Sequence, residues 1–303
     1  MMIKPQPMLR WAGGKRQLLE TLVASFPKDL VLIKHNYFEP FLGGGALFFS
    51  LANFPMQSEA KTLIGKSKPF VLSDTNEELI NFYRVVRDDP HQLIKTLTKL
   101  ASRKSEQDFY RVRSSKPRSK VAGAARLLYL NRLCFNGLYR VNSEGEFNVP
   151  YGRLKNPVIC NSELILACSS WLKNAELYAE SFDIATKRAK RGDLVYFDPP
   201  YIPLSTTASF SSYAKERFNE SDQRVLAQTI KDLTKRGVSV ILSNSDTPLS
   251  REIFRSLNLF SISANRSISA ASTSRGRVQE LVGVNFSLSA MQNASVLEAF
   301  KVS

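Results

Sequence analysis

Histidine and cysteine are scarce in this chain of 303 residues, which has two histidines and three cysteines. Three cysteines form no disulfide framework, and none of the five residues follows a spacing typical of zinc ligands. We therefore expect a reducing cytoplasm and no metal cofactor. The H-x-E and P-C-x-x-C motifs of zinc-dependent nucleobase deaminases are also missing, which excludes that class of enzyme. The five residues are His35, His91, Cys134, Cys160 and Cys168.

Long apolar runs are absent too. No stretch approaches the ~20 apolar residues that a membrane-spanning helix needs. The N-terminal residues 1–5 lack the apolar centre of a signal peptide. With 43% hydrophobic and 23% charged residues, the composition is ordinary for a globular protein. We therefore expect a cytoplasmic globular protein that does not associate with a membrane.

Acidic residues are missing from one long stretch of a chain whose net charge is +15. Residues 109–143 contain no Asp or Glu, and aromatic residues are interleaved among their basic ones. A clustered positive field with interleaved aromatic rings is typical of a surface that binds nucleic acid. The basic residues of the stretch are Arg111, Arg113, Lys116, Arg118, Lys120, Arg126, Arg132 and Arg140.

The tetrapeptide Asp198-Pro199-Pro200-Tyr201 follows the strand-like run 193–197. Each proline lacks an N–H and fixes φ near −65°, and Pro200 also keeps Pro199 out of the helical region. The segment is therefore predicted to be stiff and extended, with the Pro199 carbonyl left without a helical partner. A carboxylate and a free carbonyl are two acceptors that suit a planar exocyclic NH₂, and Tyr201 could stack on the ring that carries it. The alternative is a strand-ending turn with a capping Asp198.

Two glycine turns precede predicted helices. Gly13-Gly14-Lys15 leads into a helix over 16–26, and Leu42–Gly45 joins a strand over 37–41 to a helix over 46–51. Glycines before a helix allow close approach of a ligand to the backbone. The Walker A spacing and the full dinucleotide fingerprint are both absent, which disfavours NAD. Asp74, at the end of a strand over 70–73, is placed to hold a ribose diol or to cap the next helix, and the two roles can coexist.

The alternation of strands and helices stops after about residue 87 and resumes at residue 175. Helical periods cover 91–103 and 122–132, and two turn signals predict a hairpin of 138–141 with 146–149. We therefore predict a discontinuous α/β domain, residues 1–76 and 161–303, with a largely helical module inserted at 77–160. The irregular residues 202–219 are predicted to form a lid. Further strands are predicted over 175–180, 238–243, 259–264 and 279–286. Further helices are predicted over 77–87, 222–236 and 249–257, and one more is predicted to end at residue 188.

A set of motifs in fixed order resembles the Dam-type DNA adenine-N6 methyltransferases from about residue 8 to residue 286. The resemblance implies an α/β, doubly wound Rossmann-like sheet that binds S-adenosylmethionine, an antiparallel edge hairpin and an inserted target-recognition domain. It also implies double-stranded DNA as the partner, no metal, no obligate protein partner, and a bacterial or phage origin. The motifs are Trp11-Ala-Gly-Gly-Lys15, Glu39-Pro-Phe-Leu-Gly43-Gly-Gly45, Leu72-Ser-Asp74, Asn131-Arg132, Phe135-Asn136-Gly-Leu138-Tyr-Arg140, Gly145-Glu-Phe-Asn-Val-Pro150-Tyr-Gly152 and Asp198-Pro-Pro-Tyr201.

The resemblance also implies a role for each matched residue. Asp198 and the Pro199 carbonyl would accept hydrogen bonds from N6 of a flipped adenine, and Tyr201 would stack on that base. Residues of the methyl-donor site would be Trp11, Lys15, Phe41, Gly43, Gly45, Asp74, Phe182 and Asp198, with Asp74 on the ribose hydroxyls and Phe182 beside the adenine.

Recognition of GATC is implied for the inserted module. Phe135 and Asn136 would fill or wedge the base stack, and the basic residues at 111–126 and 266–277 would contact phosphates. The chain departs from the family pattern at three places. Phe135 stands where close relatives have Tyr, Arg10 replaces a common Lys, and residues 53–69 form a longer connection than the family is expected to have. The DNA-binding residues are Arg10, Arg132, Phe135, Asn136, Leu138, Arg140 and Pro150.

Two alternatives stay open. One is a methyltransferase that acts on another amine, such as a different DNA site, an rRNA adenine or a glutamine side chain. Glutamine methylation typically goes with Asn-Pro-Pro-Tyr, whereas Asp198 is present here. The other is a catalytically silent DNA-binding regulator, which would be expected to lose Asp198 or Lys15.

Overall fold

The structure is a computed structural model that describes residues 3–11, 13, 18–27, 35–52, 69–202, 218–265 and 277–290. Four predicted features lie wholly or mostly outside these residues. They are Lys15, the long connection over 53–69, the lid over 202–219 and the basic residues at 266–277.

The described part of the chain contains ten α-helices and seven β-strands. The strands are β1 (Tyr37–Glu39), β2 (Phe70–Asp74), β3 (Ala175–Ala179), β4 (Leu194–Phe197), β5 (Ser239–Ser245), β6 (Asn258–Asn265) and β7 (Arg277–Val284). The helices are α1 (Leu19–Ala24), α2 (Ala46–Leu51), α3 (Glu77–Asp88), α4 (Pro90–Ala101), α5 (Glu106–Ser114), α6 (Lys120–Leu133), α7 (Ser162–Leu172), α8 (Phe182–Ala185), α9 (Glu220–Lys235) and α10 (Pro248–Ile253).

The strands form one sheet in the order β3-β2-β1-β4-β5-β7-β6. The pairs β1–β2, β1–β4 and β4–β5 are parallel, whereas β7 is antiparallel to both β5 and β6. Every residue of β4 is buried, which is typical of a central strand of a parallel sheet. The predicted Rossmann-like α/β fold with an antiparallel edge hairpin is thus confirmed.

Strands β1 and β4 are neighbours at the point where the strand order reverses. Chain order runs outward from β1 through β2 to β3 on one side, and from β4 to β5 on the other. In open α/β sheets such a switch point, at the carboxyl ends of the strands, is where ligands bind. The segments that follow these two strands are the glycine turn over 42–45 and the tetrapeptide over 198–201.

The chain divides into two compact units. The first comprises the described residues of 1–14, 42–68 and 73–180, and the second comprises those of 15–41, 69–72 and 181–303. The functional division into a catalytic domain and a recognition module at 77–160 stays a prediction.

Helix α6 is central to the first unit. Its apolar residues are buried on all sides, as expected for a core helix, and Asn131 is buried among them. Helices α5 and α7 were not predicted from the sequence. The predicted hairpin is present in reduced form, as one antiparallel bridge between Val141 and Phe147 with an Asn148 N–H to Arg140 carbonyl bond of 3.0 Å.

Candidate functional site

In the second unit, the tetrapeptide begins directly after β4. Asp198 is partly exposed, and its Oδ1 accepts a hydrogen bond of 3.0 Å from Ser243 Oγ on β5. Pro199 is buried, and its carbonyl accepts no hydrogen bond from the described part of the chain. The predicted pair of acceptors, one carboxylate and one carbonyl, is therefore present at the end of this strand.

Three polar side chains anchor the backbone after the tetrapeptide. Gln223 Nε2 donates to the Pro200 carbonyl at 2.8 Å. The N–H of Ile202 donates to Asn244 Oδ1 at 3.2 Å, and the Ile202 carbonyl accepts from Ser245 Oγ at 2.6 Å. Gln223 and Asn244 also bond to each other at 3.2 Å. These bonds fix the path of the chain as it leaves the sheet.

Tyr201 is held through its hydroxyl, which donates to Glu280 Oε2 on β7 at 2.8 Å. Burial, together with the negative charges of Asp198 and Glu280, raises the pKa of Tyr201 well above its usual range. The phenol therefore stays protonated and remains a donor. Its ring orientation is set by the sheet rather than left to rotate.

A cluster of aromatic rings lies in the same unit. Phe41, just after β1, stacks on Phe182 with ring centroids 5.5 Å apart. Phe218 contacts Phe41 edge-on at 5.4 Å and Phe182 at 5.8 Å. The sequence predicted Phe41 and Phe182 as donor-site residues and missed Phe218. Such a cluster can accept a flat heterocycle.

In the first unit, the glycine turn adopts a backbone that glycine favours. Gly43 and Gly45 have φ of 47° and 66°. A Cβ on Gly43 would lie 3.0 Å from Trp11 Cδ1, so the glycine lets the indole pack more closely than a side chain here would. The carbonyl of Gly43 accepts from the Tyr83 hydroxyl at 2.8 Å. The turn is thus rigid and close to Trp11.

Asp74 is bonded to this turn. Its Oδ2 accepts the Gly43 N–H at 3.0 Å and its Oδ1 accepts the Asn76 N–H at 2.9 Å. Burial raises the pKa of Asp74 above its usual range, and these two hydrogen bonds act in the opposite direction. A desolvated carboxylate at a strand end fits hydroxyl donors such as a ribose diol. The capping alternative is not what the structure shows, because Asn76 caps α3 by accepting the Leu79 N–H.

The segment of Arg10 and Trp11 packs against the turn that follows α6. Trp11 stacks on Tyr139 with ring centroids 4.9 Å apart. Asn131, buried in α6, accepts the Arg10 N–H at 2.8 Å and donates to the Arg10 and Gly137 carbonyls at 2.8 and 3.0 Å. One buried side chain therefore joins a predicted DNA-binding segment to the predicted recognition turn.

That turn presents its side chains outward. Asn136 has a φ of 54°, which asparagine tolerates better than most residues, and the side chain of Phe135 is 46% exposed. The Phe135 N–H donates to the carbonyl of the exposed Pro150 at 2.9 Å, so these two predicted DNA-binding residues are neighbours. Leu138, 36% exposed, is a third apolar side chain in this group. Exposed apolar side chains beside basic ones can contact bases.

Comparison with known proteins identifies the class of enzyme. A family model described as D12 class N6 adenine-specific DNA methyltransferase matches residues 11–268. The chain belongs to this family. It is 44% identical to the type II methyltransferase M1.LlaDCHI of Lactococcus lactis subsp. cremoris, over 94% of this chain and 96% of the relative.

Two further relatives cover most of the chain. The type II methyltransferase M.MjaIII of Methanocaldococcus jannaschii is 38% identical over 93% of this chain and 99% of its own. The DNA adenine methylase of Escherichia coli K12 is 34% identical over 93% and 96%. The chain is therefore an adenine-specific DNA methyltransferase, and its family implies an S-adenosylmethionine donor and a DNA substrate.

Two basic residues of this methyltransferase serve the fold. Arg126 pairs with Glu78 at 3.2 Å and donates to the carbonyls of Val112 and Arg113. Arg132 donates to the Met8 carbonyl at 2.7 Å, and burial lowers its pKa. Arg140 is exposed, and its Nε donates to Asn148 Oδ1 at 2.7 Å. The acid-free stretch is thus partly structural.

Several site residues of the methyltransferase had no assigned role from sequence alone. Ser243, Asn244 and Ser245 form a polar run at the end of an apolar strand, and that run was the available signal. Asn131 is a polar residue in the apolar run of α6, a comparable signal. The sequence carried no comparable signal for Glu280, because its partner Tyr201 is 79 residues away in the chain.

Within the described residues, no group of three or more His, Cys, Asp or Glu side chains could hold a metal ion. No described helix of the methyltransferase is long and apolar enough to span a bilayer.

Proposed function

We propose that the enzyme transfers a methyl group from S-adenosylmethionine to N6 of a flipped adenine in double-stranded DNA, at the sequence GATC. The observation that carries the proposal is the end of β4. There the anchored carboxylate of Asp198 is followed by the Pro199 carbonyl, which is free of hydrogen bonds from the described residues. Membership of an N6 adenine-specific family supplies the amine that these acceptors suit.

The chemistry assigned to these groups is positional. An adenine NH₂ is conjugated with its ring and is a poor nucleophile. Asp198 and the Pro199 carbonyl accept its two hydrogens and draw the nitrogen toward a geometry that exposes a lone pair. S-adenosylmethionine supplies an electrophilic methyl group bonded to sulfur. Tyr201, which is fixed by Glu280, stacks on the flipped base and keeps its amine in line with the methyl group.

The methyl donor is assigned to the residues that match the donor-binding motifs of the family. Asp74 accepts from the ribose hydroxyls, and the Gly43–Gly45 turn with Trp11 takes the methionine part. Phe41 also lies beside the methionine part, Phe182 flanks the adenine ring, and Lys15 adds a positive charge. Support comes from the desolvated carboxylate of Asp74 and from the stacked rings of Phe41 and Phe182.

Target reading is assigned to the recognition module, residues 77–160, with Arg10. Arg is suited to the O6 and N7 atoms of guanine. Phe135 and Asn136 fill the stack beside the flipped base, Leu138, Arg140 and Pro150 read the remaining bases, and Arg132 supports the segment. The assignment of GATC as the recognition sequence rests on these matched positions. The relatives' names, two type II methyltransferases and a DNA adenine methylase, do not choose between a restriction partner and a solitary enzyme. The catalytic domain, 1–76 and 161–303, and the location in a bacterial cytoplasm stay predictions.

The deciding experiment is incubation of unmethylated plasmid with labelled S-adenosylmethionine, followed by mapping of modified adenines. We expect N6-methyladenine in GATC. Modification of adenine in another context would correct the recognition sequence, and modification of rRNA alone would replace the substrate. Binding of DNA with no methylation of any nucleic acid would identify a silent regulator.

Variants assign the chemistry. Asp198→Ala should abolish methylation while leaving the affinity for a GATC duplex within about threefold, because the carboxylate acts on the amine rather than on phosphates. Asp232→Ala, which removes a carboxylate from the surface of α9, is the matched control and should methylate normally. Loss of DNA binding in a folded Asp198→Ala protein would refute the assigned role.

A further inference from the structure

Asp198 is the end of a chain of three side chains. Ser243 Oγ lies 3.0 Å from Asp198 Oδ1, and the Tyr196 hydroxyl lies 2.9 Å from Ser243 Oγ. All three belong to the second unit. Tyr196 and Ser243 are 1% and 0% exposed, so these hydroxyls are shielded from water.

The direction of the two hydrogen bonds follows from the donors. An ionised carboxylate only accepts, so the Ser243 proton is directed at Asp198. A serine has a single hydroxyl proton, and Tyr196 must therefore donate to Ser243. Burial and the charge of Asp198 raise the pKa of Tyr196 well above its usual range, which keeps this donor protonated. Both hydroxyls thus point toward the carboxylate.

The sheet register explains why these residues meet. Tyr196 pairs with Ile241 and Phe197 with Leu242 in parallel register, so Asp198 and Ser243 come next on their strands. Tyr196 and Asp198 are two residues apart and project to the same side. Two hydroxyls buried at this point would be costly without partners. An apolar pair would fill the space at no such cost, so the polar pair needs a reason beyond packing.

We infer that Ser243 and Tyr196 are positioning residues for methyl transfer. Ser243 holds the Asp198 carboxylate in the orientation in which it accepts from the target amine, and Tyr196 acts through Ser243. The inference rests on the proposed function, because it takes the catalytic role of Asp198 as given.

The test measures single-turnover methylation of a GATC duplex at saturating enzyme and S-adenosylmethionine. Ser243→Ala should lower the rate constant about 10- to 100-fold, the range for losing a hydrogen bond to a charged group. Tyr196→Phe should lower it about 2- to 10-fold. The affinity for DNA and for S-adenosylmethionine should change less than the rate. The double variant should lie within about twofold of Ser243→Ala alone, because Tyr196 acts only through Ser243.

A structural role makes different predictions for the same variants. Removing both hydroxyls leaves no unsatisfied buried group, so the double variant should recover part of the stability lost in Ser243→Ala. Its rate should not recover. A rate that follows the midpoint of unfolding across the series would overturn the inference. Ser243→Thr, which keeps the hydroxyl but adds a methyl group, should be faster than Ser243→Ala even if it is less stable.

One matched control shares the burial but does not contact Asp198. Ser250→Ala removes a fully buried serine hydroxyl that belongs to the α10 cap. It should lose stability and keep the wild-type rate.

The two levels of failure are distinguishable. If Asp198→Ala still methylates at the wild-type rate, the catalytic assignment itself is wrong. If Asp198→Ala is inactive while Ser243→Ala and Tyr196→Phe methylate at the wild-type rate, the positioning role alone is refuted.

Discussion

The indole of Trp11 stacks on the phenol ring of Tyr139, with centroids 4.9 Å apart and planes inclined by 26°. Tyr139 lies between Leu138 and Arg140, two proposed base-reading residues. Trp11 also lies against Gly43, whose N–H is bonded to Asp74. A continuous series of contacts within one compact unit therefore joins the proposed recognition turn to the proposed ribose acceptor.

The first prediction concerns this stack. Tyr139→Ala should weaken S-adenosylmethionine binding about 2- to 12-fold, because an aromatic pair contributes about 0.5–1.5 kcal/mol and positions Trp11 against the glycine turn. Tyr139→Phe keeps the stack and loses only the hydroxyl, which donates to Glu78 at 3.0 Å. It should bind the donor nearly as well as wild type. Titration calorimetry measures both affinities.

The control for the stack is Tyr110→Ala. Tyr110 also belongs to the first unit, and its ring contacts Phe109 and the Arg113 guanidinium rather than Trp11. Its loss should leave donor affinity unchanged. Equal weakening by Tyr110→Ala and Tyr139→Ala would show a general loss of folding instead.

The second prediction is a pH dependence at Asp74. Burial raises its pKa above the ordinary value of 3.8. A carboxyl whose pKa is raised by folding stabilises the folded state fully below the ordinary value, and that contribution is lost as pH rises through the raised value. Asp74→Asn should therefore gain stability relative to wild type as pH increases from about 3.8 through the raised pKa, as measured by urea unfolding at a series of pH values.

Donor affinity should move in the opposite direction in the same variant. Asp74→Asn replaces a charged acceptor by a neutral one, so S-adenosylmethionine binding at neutral pH should weaken about 10- to 100-fold. A stability difference that stays flat with pH, or an unchanged donor affinity, would contradict the assigned environment or role of Asp74.

Much of the sheet could be predicted from sequence because apolar runs and turn residues are local signals. The strand over 193–197 and the helix over 77–87 were predicted to within two residues. Helix α5 was missed because only Phe109 and Val112 of its nine residues are buried, which leaves almost no apolar period. Helix α7 was missed because no element was assigned between the end of the predicted module at residue 160 and the strand over 175–180.

Side-chain partners were harder to predict than elements. Ser243 meets Asp198 only because β4 and β5 pair in one register, and the two residues are 45 apart in the chain. Trp11 and Tyr139 are still more distant. The tetrapeptide carried its own signal, since two prolines restrict the backbone locally, but the residues that hold it are determined by tertiary packing.

The third prediction concerns the reading of bases by Arg140. Its guanidinium is oriented by Asn148, with bonds of 2.7 Å to Oδ1 and 3.3 Å to the carbonyl. Arg140→Ala should reduce discrimination between GATC and single-base variants about 5- to 150-fold, because a bidentate contact contributes about 1–3 kcal/mol. Asn148→Ala should reduce it less, since one of the two anchors remains. Methylation rates on a panel of duplexes measure the ratio.

Non-specific affinity provides the contrast for Arg140. Binding to a duplex that lacks the site should change little in Arg140→Ala, because the side chain that is removed is assigned to a base and not to a phosphate. A uniform loss of affinity on all sequences, with the base preference intact, would place Arg140 on the backbone instead.

The fourth prediction uses two glycines with the same backbone and different surroundings. Gly137 and Gly145 have φ of 65° and 77°, so alanine is strained at both and should cost about 1–2 kcal/mol of stability. A Cβ on Gly137 would run into the side chain of Arg10, whereas nothing lies within 4 Å of one on Gly145. Gly137→Ala should therefore also displace Arg10 and lower discrimination at the first base of the site, measured on the same duplex panel. Equal discrimination in the two variants would mean that the position of Arg10 does not depend on Gly137.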